Sequence, residues 1–294
     1  MFTKKIKSLV KNFLLTHRSY KFFIKDWSGS PDIFSAQNII NLMRHAKVIK
    51  PEVIEKINYQ SILIIAPHPD DEIIGAGGAI INCLESSGTV HVYYLTKGSL
   101  KDSQEVCVEA GNCAKLLGYT QYFMDNYSNN ISLNVDTIDE FSNYINTLNP
   151  DIIYMPFLLD DHDDHRLASH LFYYSYKLGK LNWSGEIWAY QVYSVVPANF
   201  YLDITEIIHK KCDLIFCFKS QLKHRDWANY IKGLHAFNSR FSTNIDQKYL
   251  ESYFVTQSKD YFELCALYFD SRSGCYQNES YNKFLNQKYV YESV

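Results

Sequence analysis

Apolar positions recur along the chain in two rhythms. Near the start, Phe2, Ile6, Leu9, Val10, Phe13 and Leu14 fall three and four residues apart, with Lys4, Lys5, Lys7 and Lys11 mostly between them. That is the spacing of an amphipathic helix. Trp27-Ser-Gly-Ser-Pro31 breaks it, and a second helical pattern runs over Ile33–Lys47. From Ser61 the rhythm changes. Short apolar runs at Ser61–Ala66, Val90–Leu95, Gln121–Met124, Asp151–Met155 and Glu186–Tyr193 alternate with helical patterns at Ala76–Glu85, Gln104–Leu117, Ile138–Leu148 and Asp164–Tyr176. Strands separated by helices build βαβ units, so the pattern predicts an α/β protein whose mainly parallel sheet is covered on both faces. Beyond Asp203 the pattern turns helical, with Lys219–Ala236 the best candidate, and Tyr261–Phe269 fits a strand or a short helix.

Composition changes this picture little. The chain has 294 residues, 47% hydrophobic and 21% charged, which is ordinary for a globular protein with a full core. No apolar run reaches the 18 or so residues a membrane-spanning helix needs, and no secretory signal is read at the start. Cys83, Cys107, Cys113, Cys212, Cys217, Cys265 and Cys275 show no CxxC spacing and are odd in number, which favours reduced thiols and a cytoplasmic setting. Charge is more informative. Residues 1–50 carry ten Lys/Arg and two Asp, a net of +8 against −11 for the remainder. A basic arm thus precedes an acidic body that shows no sign of nucleic-acid binding.

Chemistry concentrates after two of the expected strands, where open α/β sheets place their ligands. His68-Pro69-Asp70-Asp71-Glu72 follows Ser61–Ala66, and Gly75, Gly77 and Gly78 come soon after. Pro69 biases His68 towards an extended conformation, so its ring is aimed from the strand end. Asp71, three positions on, reaches the same point if the chain turns there. His162-Asp163-Asp164-His165 follows Asp151–Met155. One histidine of this second cluster would complete a His/Asp/His set with an open fourth position, the pattern of a catalytic zinc. A remaining carboxylate could take a proton from a metal-bound water, and a remaining histidine could stabilise an oxyanion. Either motif alone fits a capped turn or a solvated loop better than a site. Their pairing after two parallel strands outweighs that. An oxygen-rich Mg²⁺ or Mn²⁺ site for phosphate chemistry ranks lower, because there is no P-loop and no second carboxylate cluster.

At these residues the sequence resembles the PIG-L/LmbE-like family of zinc-dependent N-acetylglucosamine deacetylases. Ala66-Pro67-His68-Pro69-Asp70-Asp71-Glu72 with Gly77-Gly78 matches the family's first motif, and Asp160-Asp161-His162-Asp163-Asp164-His165-Arg166 its second. Thr96-x-Gly98, Glu109, Leu117-Gly118 and Met124-Asp125 fit between them. The similarity runs over Ile62–Arg166 and continues more weakly through Lys219–Arg240 and Tyr261–Glu263. The resemblance implies a Rossmann-like three-layer fold spanning residues 51–294, with residues 1–50 a basic helical N-terminal extension. It implies one Zn²⁺ per chain on His68, Asp71 and His165. Asp70 would be the general base, and His162 would stabilise the oxyanion while held by Asp164. Asp125, Glu72 and Lys97 would contact substrate. The implied reaction removes the N-acetyl group of a GlcNAc-type sugar, in a nucleotide-linked, lipid-linked or other conjugate, and releases acetate. The rivals are a zinc amidase for a larger amide or thiol conjugate, and a sugar-binding or scaffold protein without turnover; intact Asp70 and His162 argue against the latter.

Val106 departs from the family, many members of which carry an arginine there that grips substrate; either Lys97 or Lys101 substitutes for it, or the substrate lacks the group that the arginine grips. This leaves the substrate open, not the reaction. Lys219 and His224 stand where the family has a basic helix near the site, and are read as surface or packing residues. Among the aromatics, Trp183, Trp188 and Tyr190 are the candidates for a pocket wall. The expected partner is a small amino-sugar substrate and not nucleic acid. The apolar face of Phe2–Phe13 has two readings. Packing on the body or on a second subunit is favoured, because tertiary packing accounts for most such helices. The alternative is peripheral contact of residues 1–25 with the anionic inner face of a membrane.

Overall fold

The computed structural model describes residues 51–223 and 225–270. The helical patterns at Phe2–Phe13 and Ile33–Lys47, and His224, lie outside the described residues. In chain order the elements are β1 (Glu52–Ile54), β2 (Ser61–Ala66), α1 (Asp71–Glu85), β3 (Thr89–Tyr94), α2 (Ser103–Leu117), β4 (Thr120–Phe123), α3 (Val135–Leu148), β5 (Ile152–Pro156), α4 (Asp163–Lys177), β6 (Glu186–Tyr190) and β7 (Phe200–Asp203). They continue as α5 (Ile208–Ile215), α6 (Lys219–Leu222), α7 (Trp227–Asn238), β8 (Leu250–Gln257) and α8 (Ser258–Phe269). Among the described residues no helix is long and apolar enough to cross a membrane, and all six described cysteines are free.

The strands form one eight-stranded sheet in the order β1-β7-β8-β6-β5-β2-β3-β4. All pairings are parallel except those of β8, which runs antiparallel to β6 and β7. The physical reason is visible in the alternation of side chains. Along β2, Leu63 and Ile65 enter a core beneath α3, α4 and α8, while Ile62, Ile64 and Ala66 enter a second core beneath α1, α2, α5 and α7. Along β5, Ile153 and Met155 take the first face and Ile152 and Tyr154 the second. A strand apolar on both faces must be covered on both, and the βαβ connections supply the covers. The expected Rossmann-like, three-layer, mainly parallel architecture is therefore found.

Two expectations differ from the structure in an instructive way. Helix α1 begins at Asp71 rather than Ala76, because Asp70 caps it in a left-handed conformation with φ 116°. The helix expected over Lys219–Ala236 is broken between Leu222 and Trp227, where Asp226 starts a new helix by accepting a hydrogen bond from Asn229 N at 3.0 Å. Tyr261–Phe269 is helical, and β1, β7, β8 and α5 are additional elements.

Tyr190 illustrates how tightly the carboxyl edge of the sheet is built. Its side chain is fully buried, and its hydroxyl donates to Ile65 O at 2.9 Å. A Cβ placed on Gly75 would stand 2.1 Å from the Tyr190 ring. Helix α1 can lie on the sheet here only because residue 75 has no side chain. Gly75→Ala should therefore destabilise the protein by about 1–3 kcal/mol, read as a lower urea midpoint with an unchanged slope.

Candidate active site

The chain runs outward from β2 through β3 to β4, then returns to the other side of β2 as β5. This reversal opens a crevice at the carboxyl ends of β2 and β5, the usual ligand position in such sheets. His68 follows β2, and His162 caps α4 after β5. The three imidazoles meet there, with ring centroids 4.8 Å apart for His68 and His162, 5.0 Å for His162 and His165, and 5.4 Å for His68 and His165.

Carboxylates order these rings. Asp71 Oδ2 lies 3.2 Å from His68 Nδ1 and 3.1 Å from His165 Nε2. Asp164 Oδ2 lies 2.9 Å from His68 Nε2 and accepts from Asn129 N at 2.7 Å. Asp160 Oδ1 lies 3.1 Å from His165 Nδ1 and accepts from His162 N at 3.0 Å. The Asp160 Oδ2 atom accepts from Tyr193 N at 3.1 Å and Ser194 N at 3.3 Å, so this one carboxylate also fastens the chain beyond β6. The backbone amide of Asp164 donates to His162 Nδ1 at 3.1 Å. It is this amide, and not the Asp164 carboxylate, that orients His162; the carboxylate holds His68.

Burial sets the protonation. Burial works against a charged His68, but Asp164 and Asp71 outweigh it and hold the ring up at about 9. His165 is likewise opposed by burial yet held at about 10 by Asp71 and Asp160. Burial raises a carboxyl, but His165 and His68 bring Asp71 below its ordinary value. Asp70 has no such partner. Burial, then the charges of Asp71 and Glu72, push it well above the carboxylate range. His162 is lowered to about 4 by burial and by the charge of His165 and His68. It is a neutral ring, and its Nδ1 is already an acceptor, which places the proton on Nε2.

The donor set fits a metal ion. His68, His162 and His165 each offer a ligand atom within 4.8 Å of the others, and Asp71 lies between two of them. Donors on a tetrahedron around zinc, with bonds near 2.1 Å, stand roughly 3.4 Å apart, close to the two Asp71–histidine separations. The His165 nitrogens are fully buried and near carboxylates, yet neither contact has hydrogen-bond alignment. Such a ring is placed to serve a third point. An ion there would displace protons from His68 and His165.

A cleft of about 300 Å³ opens above, lined at its floor by His68, Asp70, Asp71 and His162. Ser99, Ser128, Ser220 and Gln221 add polar groups to its walls, Asp102 and Lys223 add charges, and Val106 also lines it. Glu72, Asp125 and Lys97 do not line it. Glu72 is fully buried below the site, where it accepts from Asp70 N at 2.9 Å and from the hydroxyls of Tyr94 at 2.8 Å and Tyr119 at 3.2 Å. Asp125 and Lys97 pair with each other at 2.8 Å, the carboxylate 85% exposed. The aromatic wall is Tyr193 and Trp227, not Trp183, Trp188 and Tyr190, which are core residues. Sequence patterns carried no signal for Tyr193, Trp227 or Asn129. Asp160 stood within the second motif but had no role assigned. Glu109 is buried and accepts from both the amide and hydroxyl of Ser220, at 2.9 and 2.6 Å, which docks α6 on α2 and forms one cleft wall.

The mainly parallel sheet thus carries a histidine–carboxylate cluster at its switch point. The PIG-L family model, described as GlcNAc-PI de-N-acetylase, matches residues 63–174, from within β2 to within α4. The fold is similar to that of N,N'-diacetylchitobiose deacetylase from Pyrococcus horikoshii, at 21% identity and a TM-score of 0.57, over 68% of this chain and 84% of that one. It is also similar to the conserved protein TT1542 from Thermus thermophilus, at 19% identity and 0.56, over 66% and 93%. The 4-carboxy-2-hydroxymuconate hydratase GalB from Pseudomonas putida is similar at 20% and 0.56, over 68% and 96%.

Asp160→Ala would strip a buried acceptor from three backbone amides and a carboxylate from His165. The expected outcome is a loss of about 2–4 kcal/mol of stability, measured by urea unfolding. Zinc affinity should fall roughly 10–100-fold, measured by competition with a chromophoric chelator.

Proposed function

We propose that the protein is a zinc-dependent de-N-acetylase that hydrolyses the N-acetyl group of a GlcNAc-type sugar carried in a glycoconjugate, releasing acetate. One observation carries this reading. A proton-bearing His162, the carboxyl of Asp70, and the donors His68 and Asp71 share the floor of a single cleft, with His165 buried directly behind Asp71 at 3.1 Å. Amide hydrolysis needs all three functions together: a Lewis acid, a base, and a donor for the oxyanion. The family match adds support, as does a similar fold that deacetylates a sugar. A hydratase on the same fold means that the fold alone does not select the reaction.

His68, Asp71 and His165 would hold the ion. His162 is set apart from them because its Nε2 bears the proton, which makes it a donor. When bound, zinc would acidify a water molecule and polarise the acyl oxygen. Asp70 takes a proton from the attacking water. His162 Nε2–H donates to the carbonyl oxygen as negative charge develops on it. The C–N bond then breaks, and the proton held by Asp70 passes to the leaving amine, leaving acetate and a free amino sugar. Ser99, Ser128, Ser220 and Gln221 would receive sugar hydroxyls, with Tyr193 and Trp227 against the ring. Cytoplasmic residence belongs to the same reading, with residues 1–25 packed on the body or on a second subunit, or in peripheral contact with a membrane. Vesicle pelleting of the full chain against one lacking residues 1–30 separates these, since equal partition removes the membrane contact.

Acetate release, followed by proton NMR, tests the reaction. The zinc-loaded protein should release acetate from one of free, nucleotide-linked or lipid-linked GlcNAc. Asp70→Asn should lose roughly 10²–10⁴-fold in turnover and His162→Ala about 10²–10³-fold, each with metal content unchanged. Chelation should abolish turnover and added zinc restore it. Zinc-bound protein that releases acetate from none of the three would shift the reading to a larger amide.

A further inference from the structure

Helix α1 is not one continuous helix. Ala76 departs from helical geometry with φ −136° and ψ 17°. In an unbroken helix, Gly78 N would donate to Ile74 O, four residues back. Here a pair of charged side chains from elsewhere in the chain is inserted into that rung. Gly78 N donates to Glu251 Oε2 at 2.9 Å, and Ala79 N to Glu251 Oε1 at 3.0 Å. The freed Ile74 O accepts from Lys211 Nζ at 2.9 Å, and Lys211 and Glu251 are themselves paired. Side chains inserted into the hydrogen-bond ladder are a recognised cause of helix kinks.

The insertion is complete in its chemistry. Lys211 has three N–H groups and three acceptors: Ile74 O, Glu251 Oε2 and, at 2.8 Å, His235 Nε2. His235 Nδ1 lies 3.1 Å from Leu250 O, which fixes the tautomer that leaves Nε2 free to accept. Tyr253 Oη donates to the remaining side of Glu251. Lys211 and Glu251 are both fully buried. The glycine pair that follows the first motif makes the space. A Cβ on Gly78 would stand 2.9 Å from Glu251 Oε2 and 2.5 Å from Ile204, and one on Gly77 would stand 3.2 Å from the Lys211 stem.

A buried ion pair is a poor way to gain stability, because apolar residues of similar volume usually serve as well or better. Two glycines inside a helix are unfavourable too. What the arrangement does accomplish is geometric. The break divides α1 between the turn that follows Asp70 and carries Asp71 and the body that packs on the sheet. We infer that the Lys211–Glu251 pair is a positioning device, wedged into α1 to aim the Asp70–Asp71 turn at the metal centre. The inference rests on the metal-site reading given above. Neither residue lines the cleft, so both act through α1.

The test compares wild type with K211M/E251L, which replaces the wedge by apolar side chains and lets the rung close. Each protein, stripped of metal, is titrated with zinc against a chromophoric chelator, and its thermal melt is recorded. The double variant should melt close to wild type while its zinc dissociation constant rises about tenfold or more. A folded double variant with wild-type zinc affinity overturns the inference. If the double variant does not fold, Lys211→Met decides by the same titration, because it leaves Ile74 O without its donor. If wild type itself binds no zinc, the metal reading fails instead. A crystal structure of the double variant then decides, and Asp70 and Asp71 in their wild-type positions would overturn the inference.

Discussion

The parallel pairing of β2 with β5, in register from Ile62 with Ile152 to Ile64 with Tyr154, is the constraint on which the site depends. It places two loops side by side that are separated by about a third of the chain. One brings His68, Asp70 and Asp71; the other brings Asp160, His162, Asp164 and His165. Every important contact of the centre crosses that seam or braces one side of it, including His68 to Asp164 and His165 to Asp71. The pairing holds because both strands are apolar on both faces, so neither can leave the sheet interior without exposing two cores.

So many ionisable groups in one buried place would be costly if left unpaired. Here they are arranged as alternating carboxylates and imidazoles, each carboxylate answering a histidine. Asp70 is the exception. It is buried, lacks an imidazole partner, and sits at φ 116°, a conformation that costs a non-glycine residue of order 1–3 kcal/mol. Glu72 holds its backbone amide from below. Strain and an unpaired carboxyl at one residue, braced from beneath, are what a group kept ready for proton transfer would show.

The rest of the molecule shapes access rather than chemistry. Helix α6, docked through Glu109 and Ser220, forms one side of the cleft, and Tyr193 and Trp227 another. Val106 lines the wall, and charge on the rim falls to Asp102 and Lys223. The walls of the cleft therefore present mainly hydroxyls, amide groups and aromatic faces.

Much of this was legible in the residues. Short, continuous apolar runs separated by helical patterns specify a parallel sheet, because backbone hydrogen bonds and the burial of both faces leave few other solutions. The two motifs stand directly after strands, so their meeting could be inferred before any coordinates. Tertiary structure alone decided the rest. Glu72 looks like one more polar group in a polar motif, but the turn at Asp70 sends it inward to Tyr94 and Tyr119. The Asp164 carboxylate binds His68 because the neighbouring loop comes within reach, which no local spacing reveals. The helix expected from Ala76 begins instead at Asp71, and the rung broken at its glycines is occupied by Lys211 and Glu251, which arrive from more than 130 residues away. Local sequence determines which groups a segment can offer. Which of them face one another is settled by long-range packing, since only there do distant segments meet.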